Sequence, residues 1–517
     1  MSKQKFYLTT AIPYGNGAPH IGHAYEIIAA DVLSRYYRAA GYDCYFLAGM
    51  DEHGQKMQQT AKKNGETPQQ LADRTAGLFQ DMHRSLNIQY DDFIRTTEDR
   101  HKKAVQHLWQ KMVEAGDIYL GKYAGWYSVR DEAYFDEKEL HMAEGIRCAP
   151  TGAPVEWVEE ESYFFKLSSY QQKLLDWYGK NPHCVQPESR RNEIVNFVKD
   201  GLSDLSVSRT TFDWGVPVPG APRHVMYVWV DALSNYITAL GYPDDDNRLL
   251  HNYWPADCQL IGKDIVRFHA IYWPAFLMSA GLPLPAQVYG HGFIYNRGEK
   301  MSKSVGNVIT PAELIDEYGC DQLRYFLLRE VAFGQDGSYS HDAIISRINS
   351  DLANDLGNLA QRTLSQIAKN CDEKIPPQGD LTQDDQQLFT LLHNAKHSYH
   401  TEMKQLAFHR ALEALWHVIA ECNRYIDAQA PWSLKKTDVP RMQTVLHVII
   451  ECVRQIAILL RPFMPTSMDA MLDQLAIGEG ERGFSCLDHG LVAGAALPVP
   501  QGVFPRYQVA EQAEQKT

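Results

Sequence analysis

A chain of 517 residues, 44% hydrophobic and 22% charged, is long enough for several domains with their own cores and has the composition of an ordinary globular protein. Its formal net charge of −14 argues against a general nucleic-acid binder, while leaving room for a local basic face that meets one folded RNA. No apolar run reaches the roughly 18–20 residues that a membrane span needs, a strand begins by about Lys5 with no space for a leader, and nine scattered cysteines show no metal or redox spacing; a cytoplasmic chain with free thiols is expected.

The β-branched and aromatic run Lys5 to Thr10 predicts a strand, and Ala24 to Ala40 a long helix. Between them lies Ala11-Ile12-Pro13-Tyr14-Gly15-Asn16-Gly17-Ala18-Pro19-His20-Ile21-Gly22-His23. A strand, a Gly/Pro loop and a helix start place unpaired N–H groups and a positive dipole end together, which suits a phosphate. Gly15 and Gly17 permit close backbone approach, and Gly22 leaves room for a flat group between His20 and His23, whose spacing puts both rings on one face. A histidine at a helix start serves equally well as a cap, so this stretch does not decide alone.

Gly41 predicts a helix stop and Tyr42 to Leu47 a strand, ending at Gly49-Met50-Asp51-Glu52-His53-Gly54. At the carboxyl edge of a doubly wound sheet Asp51 would face the same crevice as His20, where a carboxylate suits a cationic amino group; alone it reads as a turn aspartate. Helices are predicted over Thr67 to Leu86 and Arg100 to Ala115.

From about Gly116 to Pro222 short aromatic runs, turns and acidic clusters suggest an insert between two halves of a nucleotide-binding domain. Val225 to Val230 then predicts a buried strand, with a helix starting at Asp231, and Gln259-Leu260-Ile261 a further strand running into Gly262-Lys263-Asp264-Ile265. Asp264 could accept from ribose hydroxyls, and Ile265 and His269 would share a helix face. Core packing explains Trp229, Tyr236 and His269 equally well.

Lys300-Met301-Ser302-Lys303-Ser304 sits between turn signals; two lysines three apart could close over a triphosphate and neutralise departing pyrophosphate. Pro311 to Leu328 predicts a helix, and from about His341 to Ala476 the three- and four-residue periodicity predicts a helical bundle. There Asn358 and Arg362 lie one turn apart, and Trp432 follows Pro431 where an indole could stack on a base; a solvated face and a core tryptophan are the plain alternatives.

The Ala11-Ile12-Pro13-Tyr14 approach to His20 and His23, Asp51-Glu52-His53-Gly54, Tyr227-Val228-Trp229-Val230-Asp231-Ala232, Ile261-Gly262-Lys263-Asp264-Ile265, Lys300 to Ser304, Asn358 with Arg362, and Ala430-Pro431-Trp432 together resemble the bacterial methionyl-tRNA synthetases among the class I aminoacyl-tRNA synthetases. The resemblance implies an α/β fold: a Rossmann-type doubly wound parallel sheet in two halves (1–115 and 223–290), a connective insert (116–222), a lysine-loop and stem-contact segment (291–345), and an α-helical anticodon-binding domain with its tail (346–517). It implies ATP-dependent activation of methionine and transfer to the terminal adenosine of initiator and elongator methionine tRNA. His20, His23, Lys300 and Lys303 would be catalytic. Pro13, Tyr14, Gly15, Asn16, Gly17, Gly22, Gly262, Asp264, Met301, Ser302 and Ser304 would join them around ATP and its Mg²⁺. Ala11, Ile12, Tyr14, Asp51, Trp229, Ala232, Tyr236, Ile265 and His269 would hold methionine, and Asn358, Arg362 and Trp432 the CAU anticodon.

The insert departs from relatives that carry zinc-binding cysteine pairs, since Trp126 to Arg130 and Ile146 to Pro150 contain one cysteine, so no structural zinc is expected. No membrane partner and a monomer are expected. Rival readings are another class I synthetase, a small-molecule adenylyltransferase and a non-catalytic RNA-binding relative.

Overall fold

The computed structural model describes residues 3–131, 133–143, 145–244, 248–296 and 309–508. Period-two alternation in the first strand, β1 (Lys5–Thr10), sends Phe6 and Leu8 into one hydrophobic core and Tyr7 into another on the opposite face of the sheet. β1 is the third strand of a six-stranded parallel sheet that also contains β2 (Asp43–Met50), β3 (Asp92–Arg95), β4 (Val185–Gln186), β5 (Cys258–Gly262) and β6 (Val288–His291), in the spatial order β3-β2-β1-β5-β6-β4. The chain winds from β1 to β2 and β3 on one side, then returns to lay β5 and β6 on the other. The switch point therefore falls between β1 and β5, registered as Leu8 with Cys258 and Thr10 with Leu260. Ligands of such sheets bind at that point, beyond the strand ends.

The first helix, α1 (Ile21–Ala39), starts one cap residue after His20, and Gly41 at φ +88° follows its end. Helices Pro68–Ser85 and Asp99–Glu114 fall where periodicity placed them, the first capped by Thr67 and Gln70 in a reciprocal box.

The stretch 116–222 builds its own antiparallel sheet, in which Ile118–Ser128 pairs with Glu156–Phe165 from Ile118 opposite Phe165 to Tyr127 opposite Glu156. Within the same stretch β4 returns to the main sheet as its edge, pairing Val185 with Val288. The run expected as a strand over Val225 to Val230 is divided. Ala221–Met226 is the middle strand of a small antiparallel sheet, and a helix already covers Val228–Leu233. The helix expected over Pro311 to Leu328 is likewise two, Pro311–Tyr318 and α2 (Cys320–Glu330), separated by Gly319 at φ +94°.

Between 341 and 474 the chain is mostly helical, with α3 (Phe408–Gln429) and α4 (Val439–Leu460) as long core helices, and 475–508 runs back over the bundle largely without regular structure. α4 is long and apolar enough to cross a bilayer by length and composition, but the bundle buries nearly all of it. One continuous hydrophobic core runs from Ile27 and Ile28 of α1 to Leu412 of α3 and Ile449 of α4, so sheet and bundle fold as one packed body on that side.

Candidate active site

The loop after β1 is pinned to the ends of its neighbours. Ala11 N donates to Leu260 O (3.0 Å), Asp51 N to Pro13 O (2.9 Å) and Gly15 N to Asp51 O (2.7 Å), and Tyr14 bridges Asp51 in parallel register. His20 is the N-cap of α1: its Nδ1 accepts from Gly22 N at 3.1 Å, while His23 Nδ1 accepts from His20 N at 3.2 Å. A neutral imidazole that accepts at Nδ1 carries its proton on Nε2, so the two rings offer N–H donors at the positive end of the helix. The rings stack at 3.8 Å, tilted by 26°. Any side chain at Gly22 would meet this stack, with Cβ 2.9 Å from His20 Cε1.

These groups line a cavity of about 400 Å³ at the switch point, together with Ala11, Ile12, Pro13, Tyr14, Gly22, Asp51, Trp229, Gly262, Asp264 and Ile265. Tyr14, Asp51, Trp229, Asp264 and Ile265 also line an adjoining cavity of about 620 Å³ that runs beneath the insert. Trp229 stacks on Phe268 at 3.8 Å and 5°, and the Lys56 ammonium lies 5.8 Å from the Tyr14 ring centre. Asp264 is exposed to the opening, whereas Asp51 is buried.

Of the residues expected around the amino acid, Ala232, Tyr236 and His269 lie one layer back, buried behind the lining. His269 Nδ1 donates to Ile265 O (3.0 Å) and its Nε2 accepts from the Tyr236 hydroxyl (2.6 Å), a pairing that requires a neutral ring. Burial pushes this imidazole down to about 4, in keeping with that tautomer. Gly15, Asn16 and Gly17 shape the loop without lining the cavity. Lys300, Met301, Ser302, Lys303 and Ser304 lie outside the described residues. Their flanks do not: Phe293 and Ile294 line the cavity, and Ile309 O accepts from Ile21 N at 3.2 Å, beside His20.

Several lining residues carry no sequence motif, and two of them, Glu26 and His291, pair with each other. Glu26, one turn beyond His23 on α1, holds His291 at the end of β6, Oε2 to Nε2 at 2.8 Å, and His291 Nδ1 donates to Gly292 O at 2.7 Å. Burial raises the Glu26 carboxyl despite the opposing imidazole. His291 is also raised, because its bond to Glu26 and that carboxylate's charge outweigh the burial that opposes its protonation. Both directions mean that the pair keeps a proton. The three-residue spacing from His23 to Glu26 was the available signal.

On the bundle, Asn358 is exposed, Arg362 is half-buried and Trp432 is 41% exposed. Arg362 donates to Asp427 (2.8 Å) and to Asn423 Oδ1 (2.9 Å) in the last turns of α3, which ends at Ala430 just before Trp432. The three thus gather at one end of the bundle.

The family model described as tRNA synthetases class I (M) matches residues 6–364, and that described as the anticodon binding domain of methionyl tRNA ligase matches 375–517. The chain belongs to the methionyl-tRNA synthetases. Similar curated members include the methionine–tRNA ligase of Brucella suis, 60% identical over 99% of this chain and 100% of that one, and that of Mycobacterium tuberculosis, 52% identical over 99% of each. Among solved structures, the Mycobacterium tuberculosis methionyl-tRNA synthetase in complex with methionyl-adenylate superposes with a TM-score of 0.96 at 52% identity, covering 97% of this chain and 100% of that one. The free-state structure gives 0.90 at 49% identity, covering 98% and 99%. Among the described residues, no group of three or more His, Cys, Asp or Glu is placed to hold a metal ion.

Proposed function

We infer that this chain is a methionine–tRNA ligase that joins methionine to ATP as methionyl-adenylate, releases pyrophosphate, and passes the methionyl group to the terminal adenosine of initiator and elongator methionine tRNA. The observation that carries this reading is the meeting, in one cavity at the switch point, of two helix-start imidazoles with the Asp51, Trp229 and Ile265 wall. The likeness to a synthetase holding methionyl-adenylate supports it.

In this proposal methionine lies along Ala11, Ile12, Tyr14, Trp229 and Ile265, with Asp51 accepting from its amino group and the buried Ala232, Tyr236 and His269 backing the wall. A thioether offers little to hydrogen-bond, so an aromatic and aliphatic wall suits it. The carboxylate attacks the α-phosphorus of ATP. That step asks the protein for alignment and charge dispersal. His20 and His23 donate Nε2–H to phosphate oxygens, Asp264 accepts from ribose hydroxyls, and Lys300 and Lys303 neutralise the departing pyrophosphate. Mg²⁺ arrives with ATP, held mainly by phosphates and water. Asn358, Arg362 and Trp432 read a splayed CAU anticodon, the indole stacking while its neighbours hydrogen-bond.

On this reading 1–115 and 223–290 form the catalytic halves, 116–222 the insert, 291–345 the lysine-loop segment and 346–517 the anticodon domain, in a chain that works as a monomer. Pyrophosphate exchange measured with each of the twenty amino acids tests the assignment. Methionine alone should support exchange, followed by charging of methionine tRNA; exchange driven by another amino acid would overturn it.

A further inference from the structure

A buried carboxylate cross-links two walls of the cavity, and the reaction just described does not use it. Asp231 Oδ2 lies 2.7 Å from His53 Nδ1, and its Oδ1 lies 2.8 Å from His101 Nε2. All three side chains are shut away from solvent. His53 stands two residues beyond Asp51 in the turn that ends β2, and Asp231 stands two residues beyond Trp229 in the helix Val228–Leu233. One carboxylate therefore spans from the segment carrying Asp51 to the segment carrying Trp229. His101, on the helix Asp99–Glu114, braces it from behind.

A carboxylate accepts from both rings only when each turns an N–H towards it, Nδ1–H in His53 and Nε2–H in His101. His101 Nδ1, on the far side of that ring, is buried and has no hydrogen-bond partner among the described residues, so Nε2 is the only ring nitrogen of His101 tied into a polar contact there. Burial by itself would raise the Asp231 carboxyl, yet the two imidazoles hold it down to about 2, so the acceptor stays ionised. The His53 turn is clamped on its other side as well. Trp214 Nε1 donates to Glu52 O (2.6 Å), Gly54 N donates to Trp214 O (2.9 Å), and the Glu52 carboxylate receives Arg95 Nε (2.7 Å) and the Thr97 hydroxyl. A turn so fully held moves as one piece with whatever Asp231 fixes.

We propose that the His53–Asp231–His101 bridge is a positioning device that sets Asp51 against Trp229, and so governs the affinity for the amino acid while leaving that for the nucleotide unchanged. The proposal rests on the methionine-ligase reading. These are positioning residues, acting on methionine through Asp51 and Trp229.

The test measures methionine-dependent pyrophosphate exchange in the full chain, with KM for methionine and for ATP determined separately, beside equilibrium dialysis of labelled methionine. H53L and H101L should each raise the methionine KM at least tenfold and leave the ATP KM within twofold. H53N places an amide N–H where Nδ1–H stood, and H101Q does so for Nε2–H; both should return the methionine KM to within threefold of the parent. D231N keeps the side-chain shape and serves where the leucine variants fail to fold. The amide puts an NH2 where one of the two carboxylate oxygens stood, donor facing ring N–H, so it should weaken methionine binding by about the same factor. An unchanged methionine KM in folded H53L, H101L or D231N, an equal rise in both KM values, or no recovery in H53N and H101Q would overturn the proposal. If the parent protein itself shows no exchange with methionine, the ligase reading fails instead.

Discussion

Arg324 Nη2 lies 2.6 Å from Asp31 Oδ2, and neither side chain reaches solvent. Asp31 belongs to α1, the helix that begins at the paired histidines, while Arg324 belongs to α2. The same guanidinium donates Nε to Phe463 O (2.9 Å) and Nη2 to Pro462 O (3.0 Å), just beyond α4, and Nη1 to Leu86 O (3.0 Å). One buried cation thus ties the helix that begins at the paired histidines to the C-terminal bundle.

Replacing Arg324 by methionine should therefore be costly. Asp31 keeps Arg35 (2.6 Å) and Gln89 N (2.8 Å), which limits the penalty to about 3 kcal/mol, the low end for a broken buried pair. Urea unfolding followed by both fluorescence and circular dichroism would show the loss. A midpoint identical to that of the parent would mean that this junction carries no stability.

Stability should also fall on acidification well before the carboxylates titrate. Burial lowers His269 and His83 to about 4 in the folded protein, against an ordinary value of about 6.5. Between those two values the unfolded chain binds more protons, so stability drops as pH falls through about 6.5 and levels off below about 4. Each histidine contributes roughly 3 kcal/mol at most across that window. Unfolding midpoints at pH 7, 5.5 and 4.5 should decline less steeply in His269→Gln than in the parent, a comparison in which the opposite pull of the raised Glu26 and His291 cancels; an equal decline would contradict the neutral assignment of His269. For Asp231 the sign is the opposite: its stabilisation is present above about 3.8 and disappears as pH falls through about 2.

The bundle end makes a separable contribution. Trp432→Ala should raise the KM for tRNA by about tenfold, as expected for one lost stacking platform of about 1–3 kcal/mol, and leave pyrophosphate exchange intact. Parallel loss of exchange would show that Trp432 acts on the catalytic half instead.

Much of this was legible because it is local. The strand, loop and helix over residues 5–39, the strand before Asp51 and the strand before Gly262 each carry their own periodicity and stop signals. Packing decided the rest. Val185–Gln186 is too short for any alternation to show, and becomes a strand only because Val288 offers it an edge. The apolar run from Val225 to Val230 suits a buried strand or a buried helix alike, and the structure uses parts of it for both. Glu26 with His291, Asp231 with His53 and His101, and Asp31 with Arg324 join residues between 130 and 293 positions apart, and one-dimensional spacing carries no trace of such pairs. His20 shows the reverse difficulty. Capping and ligand binding looked like rival roles, yet the ring that caps α1 through Nδ1 also lines the cavity.

In the proposed reaction the paired histidines and the lysine loop act on one nucleotide. Single-turnover adenylate formation in His20→Ala, Lys303→Ala and the double variant decides whether they do. Each single variant should slow the step by about 10²-fold, with methionine binding unchanged, as for loss of one group that stabilises developing charge. Groups serving the same transition state are not additive, so the double variant should fall well short of the product of the two effects. A near-normal rate in Lys303→Ala, or strict multiplication in the double variant, would contradict the account.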